Sequence, residues 1–367
     1  MSQRIIDKQS LGSNIQSFDA IRGIQAGHEF YVVMCELSEI TKLFSSTESE
    51  IPPELRAQRI LRKTRIPTLK NYILNNPTDY IFSSLTASVD GTMQFFPSIG
   101  TDENLGRLHI SYSARILIND GQHRKKAIEE AIKERPELGH DKISVVFFQD
   151  KGLKRSQQMF ADLNKHAVKP TKSLNILYDH RDNFSKFIVN LANSIEVFEG
   201  RVELEKTTIS NRSRKFFTLN GIADATMRFL GISKGRKISE EEEHRIKEFW
   251  NEVSKNIPEW QLLVRKRTQP YDLRKEFVHA HTNLLNALGT VGKTLIDDYP
   301  QDWKEKLRGL KDIDWSRKNP DWEGRLLQKG RMLKNNLGIE LASNTILKKC
   351  GVTLSEERLA HERQKND

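Results

Sequence analysis

Cysteine is almost missing from this chain of 367 residues, in which Cys35 and Cys350 are the only two. Thiols so few and so far apart exclude a disulfide-stapled scaffold and a four-thiolate zinc site, and they point to a reducing compartment. Long apolar runs are also lacking. Nowhere do ~18 apolar residues follow one another, and the segment Met1-Ser2-Gln3-Arg4-Ile5-Ile6-Asp7-Lys8 has neither the apolar core nor the small-residue cleavage site of a secretory leader. The expectation is a cytoplasmic protein with no membrane partner. No internal repeat and no low-complexity tract is visible. What the chain does have is charge: 59 Lys and Arg against 49 Asp and Glu, a net +10, with a mean hydropathy of -0.60 and an isoelectric point near 9.4. That balance suits a polyanionic partner, although the distribution of the charges matters more than their sum.

The length predicts two lobes, because single cores stop growing below ~300 residues. The fold class read from the patterning is α+β. Residues 13–175 read as a mixed α/β domain, residues 176–355 as a mainly helical lobe, and residues 356–367 as a charged tail that frays. In the first domain strands are predicted at 29–37, 80–88, 92–96, 115–118 and 143–148. Helices are predicted at 38–44, 54–63, 67–74, 125–133 and 153–164. Asp90-Gly91 between two strand-like runs is a hairpin signal. In the second lobe, Ser239-Glu240-Glu241-Glu242 forms a capping box that opens a helix. A further helix is predicted from Leu273, with Phe277, His281, Leu284 and Leu288 on one stripe and Gly289 as its stop.

The segment Asp120-Gly121-Gln122-His123-Arg124 sits where an apolar strand gives way to a helix. Gly121 permits a sharp turn, and the first helical N–H groups that follow have no partner within the helix. Arg124 adds a five-donor fork beside that positive helix end, with Gln122 and His123 in the same turn. These are phosphate-binding features. A second segment, residues 160–170, ends a helix at Asn164, and Asn164 and Lys165 add to the candidate pocket. On this reading Arg124→Ala weakens phosphate binding by ~1–3 kcal/mol in an intact fold.

Basic side chains cluster elsewhere too. Arg56, Arg59, Arg62 and Lys63 recur at helical spacing just before Arg65, and such a stripe can follow a phosphate backbone. Residues 206–215, with Arg212, Arg214 and Lys215, mix cations with hydroxyl donors, and Arg265-Lys266-Arg267 forms another group. Other features are weaker. Cys35 lies in an apolar run and reads as a buried small side chain, with DNA contact or redox sensitivity as its alternative. Gly292-Lys293-Thr294 is not a phosphate-binding loop, because Ala287 stands where that loop needs glycine and the segment follows a helix. His279 and His281 are two apart and cannot chelate as an i, i+4 pair. No metal site is predicted. Trp315 and Trp322 read as anchors of the helical lobe.

The pentapeptide resembles the DGQHR signature, and residues 160–170 resemble the second block of that domain. Related strand-turn-helix elements occur in the ParB and sulfiredoxin superfamily, where Arg124 would match a phosphate-binding arginine and Asn164 a pocket-closing asparagine. The segments 18–27, 56–59, 82–87, 157–164 and 177–181 resemble the DndB family of DNA sulfur-modification proteins. The resemblance implies a ParB/sulfiredoxin-like first domain and a DNA-binding repressor of a phosphorothioate-modification gene cluster, with double-stranded operator DNA as its partner. It also allows a homo-oligomer and contacts with DNA-modification proteins. No cofactor is required on this reading, and a nucleotide or divalent cation is the candidate ligand. The alternative is a nucleotide-dependent enzyme or DNA nickase that uses the same turn, and a third reading is a scaffold. Binding is favoured over catalysis because Asp120 has only Asp162 as a candidate neighbouring carboxylate, whereas metal-assisted phosphoryl transfer gathers several.

Overall fold

The computed structural model describes residues 15–44, 64–100, 102–150, 152–165, 170–232, 236–333 and 335–364, with side chains for all but 153, 156, 160, 164 and 165. The chain divides into two compact units, 1–168 and 169–367, and it is a mixed α and β protein, as the patterning indicates. Among the described residues no helix is long and apolar enough to cross a membrane.

In chain order the first unit comprises β1 (Ile15–Gln25), β2 (His28–Glu36), α1 (Leu37–Leu43), α2 (Arg65–Asn75), β3 (Leu85–Asp90), β4 (Met93–Pro97), β5 (Leu105–Ser111), β6 (Arg115–Asp120), α3 (Gln122–Glu134), β7 (Lys142–Gln149) and α4 (Leu153–Lys165). Among the described residues seven strands form one sheet in the order β4-β5-β1-β2-β7-β3-β6, antiparallel except where β3 runs parallel to β7. Alternation sets the buried face: in β7, Ile143, Val145 and Phe147 point inward between half-exposed or exposed neighbours. The helix α3 buries Ala127, Ile128 and Ala131 and packs beside α1 and α2.

Several elements differ from expectation. The patterning missed β1 and β5. Asp90-Gly91 is not a hairpin turn, because β3 and β4 lie on different sides of the sheet and are not paired. The two-residue hairpin is Ala26-Gly27, which joins β1 to β2 with φ of 50° and 73°, both in the left-handed region such a turn requires. The strand expected at 80–88 begins only at Leu85, and the helix expected at 54–63 lies outside the described residues.

The second unit is mainly helical, with α5 (Lys172–Tyr178), α6 (Asn183–Ser194), a short parallel pair β8 (Val202–Glu203) and β9 (Phe217–Thr218), α7 (Leu219–Leu230), α8 (Glu240–Asn256), α9 (Pro258–Val264), α10 (Pro270–Glu276), α11 (Thr282–Asp298), α12 (Trp303–Lys306), a short hairpin β10 (Leu327–Gln328) and β11 (Arg331–Met332), α13 (Asn336–Lys349) and α14 (Glu356–Gln364). The capping box at Ser239 and Glu242 is formed as read. Trp315 and Trp322 are buried and stack at 5.6 Å, which anchors this unit.

Two expectations for this unit are corrected. The helix predicted from Leu273 breaks at Phe277 and His281, both extended, and Gly289 does not stop a helix but lies in the middle of α11. Gly289 is there for closeness, since a Cβ would meet the Ala225 carbonyl oxygen of α7 at 2.2 Å. Gly292-Lys293-Thr294 is helical too, with Lys293 bonded to Asp297 at 2.5 Å, and so forms no phosphate loop. Residues 356–364 of the charged tail form a tethered helix. Glu362 takes two bonds from Arg325 at 2.8 and 2.7 Å, and Arg358 reaches Ser343, Asn344 and Thr294.

His279 and His281 are built into this core as neutral rings. Trp260 Nε1 donates to His279 Nδ1 at 3.1 Å, which leaves the ring proton on Nε2, 3.3 Å from Glu259 but poorly aligned for a hydrogen bond. His281 Nε2 lies 3.1 Å from the Arg274 carbonyl and 3.2 Å from Arg317 Nη1. Burial lowers the pKa of His279, and burial pushes that of His281 down from 6.5 to about 4. A depressed folded-state pKa means that the unfolded chain binds protons first as the pH falls, so this stability is full above about 6.5 and is lost as the pH drops toward 4. Urea unfolding of the second unit should lose roughly 2–3 kcal/mol over that window, and His281→Asn should flatten the slope.

Candidate phosphate-binding site

The strand β6 ends at Asp120, Gly121 turns the chain with φ 107° and ψ 9°, and α3 starts at Gln122. Only glycine suits this corner. The backbone is left-handed, and a Cβ would stand 2.3 Å from Leu85 Cδ2 in the sheet core. The amide of Lys125 closes the first helical bond to the Gly121 carbonyl at 2.9 Å. The first amides of a helix precede such a bond and have no carbonyl within the helix to accept from them, which is the property that suits a helix start to an anion.

Arg124 holds the corner together. Its Nη1 lies 2.5 Å from the Ser83 carbonyl, 2.5 Å from Ser83 Oγ and 2.9 Å from the Ser84 carbonyl, and its Nη2 donates to Asp120 Oδ2 at 2.6 Å. The Arg124 side chain is 14 % exposed and that of Asp120 47 %. One guanidinium thus ties the segment entering β3 to the end of β6 and the first turn of α3. These contacts use Nη1 and one proton of Nη2, which leaves Nε and the second Nη2 proton without a described partner. Gln122 is drawn back onto the Ile118 carbonyl at 3.2 Å, and His123 is half-buried in the same turn. The partners Ser83 and Ser84 escaped sequence reasoning, because nothing local links them to a residue forty positions away.

The other candidates are distributed as follows. Asn164 and Lys165 end α4, which packs against β6, the strand that leads into the turn. Asp162, the candidate second carboxylate, is hydrogen-bonded to Gln158 at 2.7 Å. Among the described residues no three His, Cys, Asp or Glu side chains are gathered to hold a metal ion. Arg56, Arg59, Arg62 and Lys63 lie outside the described residues, and Arg65 is exposed as the first residue of α2.

In the second unit Arg212 and Arg214 are exposed, while Lys215 is half-buried with Nζ 3.2 Å from the Gly200 carbonyl. Arg265, Lys266 and Arg267 are exposed at the end of α9. The two basic segments join through Arg201, whose carbonyl accepts from Phe216 N and whose Nη2 reaches the Leu263 carbonyl. Sequence reasoning missed Arg201 and also Arg274, which donates to the Ser213 and Lys215 carbonyls and shapes the same loop.

Cys35 takes the buried role that the sequence favours, and its alternative of DNA contact or redox sensitivity is corrected. It has no exposed surface, and burial pushes its thiol up to about 12, so it can neither touch DNA nor form the thiolate that redox chemistry needs. It fills the core.

A family model described as DndB, DNA-sulfur modification-associated, matches residues 18–353, which takes in both units. No curated protein and no solved structure matches the chain.

Proposed function

The chain belongs to the DndB family of DNA sulfur modification-associated proteins, and from that premise we propose that it is a double-stranded-DNA-binding repressor of its own modification gene cluster. The observation that carries this reading is the pinned turn from Asp120 to Arg124, which presents the start of α3 as an anion-binding corner. Asn164 and Lys165 at the end of α4 are assigned to the same phosphate site. Arg56, Arg59, Arg62, Lys63 and Arg65, with Arg212, Arg214 and Lys215, are assigned to the DNA backbone. The net charge of +10 supports a polyanionic partner.

Binding is preferred to catalysis because the one carboxylate of the turn is engaged. Asp120 faces Arg124 at 2.6 Å and is held by that cation. A gel-shift titration of an operator fragment against an unrelated fragment, run beside phosphate release from ATP and plasmid relaxation, tests the proposal. Tighter operator binding without turnover is the expected result. Turnover that disappears in Asp120→Asn would replace the repressor by the nucleotide-dependent enzyme or nickase.

The exposed arginines of the second unit give a separate test. Arg212→Ala with Arg214→Ala should weaken operator and unrelated DNA alike, and should flatten the log–log salt dependence by about two units, close to one per phosphate contact. Equal salt slopes in the wild type and the double variant would place this loop away from DNA.

A further inference from the structure

The second unit contains a cavity of about 740 Å³, within the range of small-ligand sites. Three helices of twelve residues or more begin at its wall. Thr218 caps α7, His281 precedes α11, and Asn335 caps α13. The starts of α7 and α11 touch, for a Cβ on Gly221 would lie 2.8 Å from Thr282 Cγ2, and Asn283 Nδ2 bonds the Leu333 carbonyl just ahead of α13. Each start carries roughly half a positive charge. No side chain caps α11, so its first amides open toward the cavity without a side-chain acceptor.

Arg274 is the independent observation. It lines the cavity at 5 % exposure, its two described bonds go to backbone carbonyls, and its Nε is buried without a partner. Among the described residues no carboxylate stands within ion-pair reach of it. A buried guanidinium with no counter-charge costs several kcal/mol of desolvation that carbonyl dipoles recover only in part. That cost falls if an anion enters beside it. Exposed Lys172 and the hydroxyls of Thr207 and Thr208 stand at the rim, and Ile209, Met332 and Ile339 give one wall an apolar face. Among the described lining residues Asp224 is the one carboxylate, and it opposes an anion.

We propose that this cavity binds the phosphate end of a nucleotide-sized ligand, with Arg274, Lys172 and the start of α11 on the phosphate and the apolar wall against the remainder. The site is separate from the turn at Asp120 to Arg124 and does not rest on the repressor reading.

Calorimetric titration of the full-length protein with ATP, inorganic phosphate and adenosine tests it. ATP should bind saturably, phosphate more weakly, and adenosine not at all. Lys172→Glu, an exposed change that spares the Arg274 bonds, should weaken ATP by about tenfold or more, and Asp224→Asn should tighten it several-fold. Photolabelling with 8-azido-ATP should mark peptides within 207–216 or 331–340. The proposal is overturned if ATP does not saturate the wild type, if both variants bind ATP as the wild type does, or if the label falls only within 115–126.

Discussion

Gly289→Val should destabilise the helical unit by about 3 kcal/mol or more, although the same change in an isolated helix would be neutral or favourable. Glycine costs a solvent-exposed helix about 1 kcal/mol relative to alanine, so local propensity favours its replacement. Packing reverses the sign. At Gly289 a Cβ would stand 2.2 Å from the Ala225 carbonyl oxygen and 3.0 Å from its carbon, and these are backbone atoms of α7 that cannot rotate away. One turn on, a Cβ at Gly292 would meet the rings of Phe229 and Phe249 at 2.6 and 2.7 Å. The two glycines thus let α11 lie against α7 at backbone distance, and a branched side chain must push the helices apart across a core that contains Leu288, Val291 and Ile222. Urea unfolding followed by tryptophan fluorescence reads this unit directly, because all five tryptophans are in it. Gly289→Ala should give the same direction with a smaller loss. An unchanged midpoint for the valine variant would mean that α7 and α11 do not meet at this position.

The same glycine shows what a sequence reveals and what it withholds. Read along the chain, a glycine after an apolar stripe is a helix stop, and only the neighbouring helix explains why it is a helix interior instead. Asp90-Gly91 failed for a related reason. A turn dipeptide announces a change of direction, but which strands then pair depends on chain segments far away, and β3 finds β6 and β7 rather than β4. In β1, Asp19 and Arg22 are interspersed with apolar residues, and much of the strand is half-exposed, so its alternation is too faint to read locally. Features whose chemistry closes within a few residues were legible. The capping box at Ser239 needs only Glu242, and the corner at Gly121 needs only an apolar strand, a glycine and an apolar helical stripe, so both stand where the patterning put them. The candidate site follows this division. The corner at Gly121 was legible, whereas the contacts of Arg124 with Ser83 and Ser84 were not.

Arg124→Ala should therefore lower the stability of the first unit by about 2–3 kcal/mol, which changes the expectation of an intact fold. The guanidinium makes contacts of 2.5, 2.5, 2.9 and 2.6 Å with three residues from two chain segments. Hydrogen bonds to a charged donor contribute about 1.5–3 kcal/mol each when lost singly. They do not add, because one side chain makes them all and water can reach the partly exposed Asp120 once it is gone. Lysine at this position should recover only part of the loss, since a single ammonium cannot span the Ser83 and Ser84 carbonyls and Asp120 in the plane of a guanidinium. Any phosphate role must be read on top of this structural one. DNA affinity of the alanine variant should accordingly be measured at a temperature where circular dichroism shows it folded, and a further loss of about tenfold there would assign the exposed side of the guanidinium to phosphate. Wild-type affinity in that folded variant would confine Arg124 to holding the corner and leave the amides of α3 as the anion site. Wild-type melting together with weakened binding would show instead that the Ser83 and Asp120 contacts contribute nothing to the fold, and would return Arg124 to the role of a free phosphate fork.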